Sequence, residues 1–265
     1  TIVLFQAIGQ PGDVWIRLWR TRIPTLLLRS ISLAIAVGTS TLVVGVTAAW
    51  IVTRYEFLGR RLLTWLLAAP LAVPPYILAF VARDLFGPTV SAHRFLATVA
   101  VLSLATYPYV YLLTRSTLLS MHGGFEEVAR STGARPSRVL RKVVLPMIRP
   151  GIAAGLFLVV LYTLADFGAV SVLGYQTFTL AIYLEYSLGF ALGPAAALAT
   201  ILVGLALFAF LLERRFRRQA RFYQTEGAPR PIARHQVGPI STGLIWLAGG
   251  SLFSCRVSRR RVPLD

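Results

Sequence analysis

Asp166 stands in an apolar run, with Thr163 and Tyr162 three and four residues before it. On a helix these three share one face. A carboxylate among hydrocarbon groups is costly, so this acid marks either a path for a polar solute or a hydrogen-bonding tie between helices. A second stripe, Ser103, Tyr107, Tyr111 and Thr114, repeats the pattern in another apolar run. Its hydroxyls fit interhelical bonding first and a pathway second. Neither set is a nucleophile–base or metal constellation, so an enzyme is not expected. His93, His122 and His235 are far apart and lack metal-ligand spacing, and Cys255 is the only cysteine, which excludes an internal disulfide framework. The only lysine, Lys142, precedes Val143. A phosphate-cradling loop needs Lys before Ser or Thr, so this chain is not expected to hydrolyse ATP.

The elements that position these groups follow from composition. Of 265 residues 56% are hydrophobic and 14% charged, and the mean hydropathy is +0.68, values foreign to soluble domains. About 20 apolar residues cross a hydrocarbon core of roughly 30 Å as a helix. Five runs qualify, at about 30–52, 62–85, 95–119, 151–173 and 191–212, and a sixth at 240–254 is short and Gly-rich. An all-α, polytopic helical bundle is therefore expected. Pro70, Pro74 and Pro75 predict a kink in the second span. Tyr175, Tyr183, Glu185 and Tyr186 are expected at a membrane interface.

Charge placement sets the topology. Arg and Lys number three in 54–61, six in 120–150 and seven in 213–238, against two in the loop around Arg83 and Arg94 and none in 174–190. The positive-inside rule places the three rich loops in the cytoplasm. The net charge of +17 thus reports orientation, and nucleic acid is not an expected partner. Arg17, Arg20, Arg22 and Arg29 oppose the scheme. Either another helix precedes residue 1, or this amphipathic stretch lies on the membrane surface.

The stretch Phe125–Gly151, FEEVARSTGARPSRVLRKVVLPMIRPG, divides into two short helices. Phe125, Val128, Ala129 and Thr132 make one semi-apolar face, and Gly133 supplies a left-handed cap. Pro136 suits the first turn of the second helix, where Val139, Leu140, Val143 and Val144 oppose Arg138, Arg141 and Lys142. Leu145-Pro146 is expected to close it. Glu127-Val-Ala, three residues, Gly133, nine residues, Val143-Val-Leu-Pro146 resembles the EAA loop of ABC importer permeases. Val128 and Val143 depart mildly from that family's Ala and Ile. The resemblance implies a helical bundle of the type I ABC importer permease kind, with a coupling helix docked on a separate ATPase subunit. Glu127 would make a charged contact, Phe125, Val128 and Ala129 would fill the ATPase groove, Gly133 would hold the helix at a fixed angle, and Val143, Leu145 and Pro146 would complete the coupling set. ATP would be used by that partner, and no cofactor is expected on this chain.

PLAVPPYILAF, LADFGAVSVLGYQTFTLAIYLEY and ERRFRRQARFYQ look like the first half of ferric-iron permeases of the binding-protein-dependent class. The likeness runs from about Ile23 to Tyr223. It implies a bacterial inner-membrane location, a periplasmic solute-binding protein and a second permease half, supplied by another chain or by self-association. Thiamine and other small-solute permeases share the architecture. Asp166, Glu185 and the tyrosines are oxygen donors that suit a hard cation, and Asp166, Tyr162, Thr163, Tyr107 and Tyr111 are the candidate pathway residues. The resulting division is 1–29 external or interfacial, 30–212 permease domain with the coupling loop at 120–150, 213–239 basic cytoplasmic linker, and 240–265 incomplete span and basic tail. The basic segment 214–221 suits anionic membrane lipids. The odd ends admit a second expectation, a truncated remnant or structural half that transports nothing.

Overall fold

Proline placement decides where the apolar runs become continuous helices and where they break. The computed structural model describes residues 12–120, 139–189, 192–218 and 235–236. A short amphipathic helix, α1 (Gly12–Thr21), leads into α2 (Ile23–Arg54), which has Pro24 in its first turn, where a missing N–H costs nothing. The first span therefore starts before the expected Ser30. Tyr55 is extended and ends it.

The expected second span is not one rod. It comprises α3 (Arg60–Leu66), a 3-10 turn (Ala69–Ala72) and α4 (Pro75–Ala92), bent by 90° at the break. Val73 and Pro74 each precede a proline, and both adopt the extended conformation that the following ring imposes, with ψ of 116° and 136°. The proline signal was legible as a kink, and the structure enlarges it to a right angle.

Next come α5 (Arg94–Ser120), a wide π-helical turn (Leu140–Val144), α6 (Leu145–Ala165), α7 (Gly168–Leu173), α8 (Phe178–Gly189) and α9 (Leu192–Arg218). Among the described residues α2, α5, α6 and α9 are long and apolar enough to cross a membrane, and the bent pair makes a fifth candidate. The fourth span runs over Leu145–Ala165 instead of 151–173, and the loop expected at 174–190 contains α8. The short sixth run, 240–254, lies outside the described residues, as do 121–138. A two-residue parallel pairing, Tyr55 with His235 and Glu56 with Gln236, is the only strand contact described.

Helix α5 is the hub. Half of its most apolar stretch is buried, against 22% for α9, and it packs on α2, α4 and α6. Close approach needs absent side chains at the crossing. A methyl carbon placed on Gly45 of α2 would stand 2.8 Å from Val110 Cβ, and one on Gly155 of α6 would stand 2.7 Å from Val110 Cα. Val110, fully buried, is thus gripped from two sides. Apolar side chains elsewhere face outward, such as Trp65 at 78% exposure and Phe80, Val203 and Phe208, as expected for surfaces solvated by lipid.

Candidate functional site

Two ends of the bundle carry the functional candidates. At the first, Asp166 terminates α6, and its N–H donates to the Tyr162 carbonyl. Asp166 Oδ2 accepts from the N–H groups of Ala169 (3.0 Å) and Val170 (3.2 Å). It therefore caps the start of α7 from the C-terminal end of α6. Asp followed three and four residues later by free helical N–H groups is a cap signal, and Asp166-Phe-Gly168 could have been read that way. Thr179 Oγ1 donates to the Asp166 carbonyl at 2.7 Å, which ties α8 to the same corner.

Four arginines then converge on 172–185. Arg83 of α4 donates to the Val172 carbonyl (2.9 Å) and Arg94 of α5 to the Gly174 carbonyl (3.4 Å). Both carbonyls lie at the C-terminal end of α7, where helix carbonyls lack partners and the dipole is negative. Arg29 donates to Gln176 Oε1 at 3.0 Å, and Arg22 forms an ion pair with Glu185. Ser30 Oγ accepts from the Phe178 N–H, and Tyr175 OH donates to the Arg29 carbonyl. Two of the arginines that opposed the charge rule, Arg22 and Arg29, thus have built partners at this end. Sequence reasoning missed these pairings because every one joins residues at least 80 positions apart.

The candidate pathway tyrosines and Thr163 lie within the packed helices. Thr163 is buried, and its hydroxyl donates to the Val159 carbonyl of its own helix. The Tyr162 ring packs on Tyr109 with centroids 6.2 Å apart. Tyr111 is fully buried and donates to the Thr64 carbonyl of α3 at 3.2 Å; Tyr107 is buried beside it. The polar stripe of α5 therefore faces α2, α6 and the bent pair, and it includes two buried hydroxyls, Ser103 Oγ and Thr114 Oγ1, with no hydrogen-bond partner. Among the described residues no three His, Cys, Asp or Glu side chains could hold a metal ion together.

At the second end the charged loop returns to the bundle. Phe125, Glu127, Val128, Ala129 and Gly133 lie outside the described residues. Val139 and Val144 are buried, whereas Arg141 and Lys142 are exposed, the opposition expected of an amphipathic turn. Val144 packs with Ile148, Tyr107, Tyr111, Leu118 and Ala49. Leu145-Pro146 does not close the turn. Val144 is helical, Pro146 occupies the first turn of α6, and the chain runs on without a stop. Leu145 is 38% exposed, which leaves its side chain available to a neighbour.

Known proteins share the fold of this bundle. The family model for the binding-protein-dependent transport system inner membrane component matches residues 41–222. An Fe(3+)-transport system permease protein of Haemophilus influenzae is 30% identical over 93% of this chain and 48% of its own length. A sulfate transport system permease protein of Salmonella typhimurium is 34% identical over 48% of this chain and 50% of its own. A probable molybdenum ABC transporter permease protein of Haloferax volcanii is 30% identical over 67% and 71%. The chain spans about half the length of the first two. Among solved structures, the inward-facing MetNI methionine ABC transporter superposes with a TM-score of 0.64 at 16% identity, covering 80% of this chain and 99% of that one. An importer of the acidic polysaccharide alginate gives 0.59 at 14% identity, covering 84% and 89%. At such identities the likeness concerns the fold, a multi-pass helical bundle of the type I ABC importer permease kind.

Proposed function

The chain belongs to the binding-protein-dependent transport system inner membrane components, and from that premise we propose that it carries ferric iron inward, driven by a separate ATPase. It is a transmembrane permease subunit and not an enzyme. The observation that carries the reading is the matched core, residues 41–222, which encloses the charged loop with its Glu127, Gly133 and Leu145-Pro146 spacing. Iron is favoured over sulfate or molybdate because the ferric-iron relative aligns along nearly the whole chain.

In the proposed mechanism the ATPase grips Phe125, Glu127, Val128 and Ala129. Its closure reaches the bundle through the buried Val144, which abuts α5 and α6. Because packed helices are bistable and not continuously deformable, a small displacement there switches the access of the pathway from one side to the other. The 120–150 loop faces the cytoplasm, and the Asp166 end faces a periplasmic binding protein. A second permease half, from another chain or a second copy, completes the pathway, along which Tyr107, Tyr111, Tyr162, Thr163 and Asp166 are the candidate contributors.

Co-expression with the ATPase of the same system tests the coupling. Membranes carrying the wild-type chain should retain the ATPase, and the double variant Glu127→Arg with Gly133→Pro should release it while still inserting. Retention by the double variant would place the docking site elsewhere. Uptake of labelled Fe3+ by the assembled system, with sulfate and molybdate as competitors, tests the cargo. Uptake of either oxyanion in place of iron would reassign it.

A further inference from the structure

A cleft of about 520 Å³ opens between the start of α2 and helix α8, at the Asp166 end of the bundle. Thr21, Arg22, Thr25 and Arg29 line one wall, and Gln176 and Glu185 belong to the other. Leu26, Ala181 and Leu184 supply the apolar part of its lining. The cleft is therefore two-natured, with guanidinium groups and aliphatic carbons in one space.

Its charge is specific. Arg22 is neutralised by Glu185, whereas Arg29 donates to the neutral amide of Gln176, so the cleft carries one net positive charge. A phosphodiester carries one negative charge and offers the two unesterified oxygens that a guanidinium binds through parallel hydrogen bonds. Inorganic phosphate near neutral pH carries more charge and has no apolar portion to cover Leu26 and Leu184.

The neighbouring helix says which environment the cleft opens to. Leu18 of α1 is buried against Ile23, Phe178 and Leu198, while Ile16 and Trp19 of the same short helix are 55% and 61% exposed. A helix tucked in by one leucine, with an exposed indole and arginines beside it, matches the pattern of an interfacial element at headgroup level. Leu28, between Arg22 and Arg29 on α2, is also exposed.

We propose that this cleft binds the phosphodiester headgroup of a membrane phospholipid, with Arg29 as the principal contact, Arg22 as the second and the Leu26–Leu184 surface against the first acyl carbons. A bound headgroup bridges the 22–29 and 176–185 segments, which Arg22–Glu185 and Arg29–Gln176 already connect. The proposal concerns one leaflet at the Asp166 end and does not depend on the transported solute.

The full chain, purified in detergent with its co-purifying lipids, would be delipidated and titrated with phosphatidylglycerol or phosphatidylethanolamine, and bound lipid counted by native mass spectrometry. One tightly held lipid is expected in the wild type. Arg29→Gln should weaken it about tenfold, and Arg29→Lys should retain part of the binding. Arg83→Gln, at the same end but outside the cleft, should leave it unchanged. Leu184→Trp, which fills the cleft and keeps both arginines, should also expel the lipid, and it decides the matter if Arg29→Gln does not accumulate. Equal retention by the wild type and Leu184→Trp would overturn the proposal. Displacement of the lipid by inorganic phosphate would also overturn it, since a free anion would then be the ligand.

Discussion

The two ends of the bundle are held by opposite means. At the Asp166 end, a carboxylate cap, two hydroxyls and four arginines bind specific carbonyl, amide and carboxylate groups of 166–185. At the Val144 end, the charged loop re-enters by burying Val144 among Tyr111, Leu118 and Ile148, while Arg141 and Lys142 are exposed. Polar bonds are directional and fix one arrangement. Apolar contacts tolerate sliding, because the attraction depends on area and not on angle. The comparison implies a locked end and an end that can transmit small shifts.

Breaking what both ends share should have the largest effect. Gly155→Leu forces a side chain into the Val110 backbone, and separation of α5 from α6 should destabilise the bundle by more than the ~1–3 kcal/mol of ordinary overpacking. Its thermal melt in detergent should fall, with hydrogen exchange rising at both ends together; loss confined to one end would show that the ends do not depend on a common centre. Val144→Asp comes next, since Val144 is 2% exposed and an unpaired charge there costs about 3–5 kcal/mol. Exchange should quicken around Val139–Ile148 and not around Val170. Asp166→Ala removes the acceptor of two N–H groups and should cost ~1 kcal/mol, read as faster exchange at the Ala169 and Val170 amides alone. Glu185→Gln should be the mildest, within about 1 kcal/mol, and its effect on melting should vanish in high salt. A large, salt-insensitive loss there would make the Asp166 end depend on one ion pair instead of a distributed set.

What could be read in the sequence was whatever rests on neighbours along the chain. Apolar runs announced α2, α5, α6 and α9, because covering backbone polar groups in hydrocarbon leaves a helix as the open solution. Pro70, Pro74 and Pro75 announced the break, and alternating sides of Val139, Arg141, Lys142 and Val144 announced the amphipathic turn. Asp166 was visible as an intramembrane acid but misplaced by a few residues, since hydropathy cannot separate a helix from the capped turn after it. The partners of Arg22, Arg29, Arg83 and Arg94 were invisible: a guanidinium shows no preference in sequence for a carbonyl eighty residues away. Gly45 and Gly155 look alike to any helix-periodicity rule, and only the fold shows that both face Val110.

That grip on Val110 has a mechanical consequence. Measured along α5, Val110 lies about 24 Å from Arg94 and about 15 Å from Ser120 at ~1.5 Å per residue. Three helices pinched at one point form a fulcrum set off-centre. A tilt of α5 about it would carry the Arg94 end roughly 1.6 times as far as the Ser120 end in the opposite sense, the ratio being that of the same ~1.5 Å rises. The short arm is the one beside the charged loop. An effort applied there through a small stroke would appear, enlarged, at the clamp around α7.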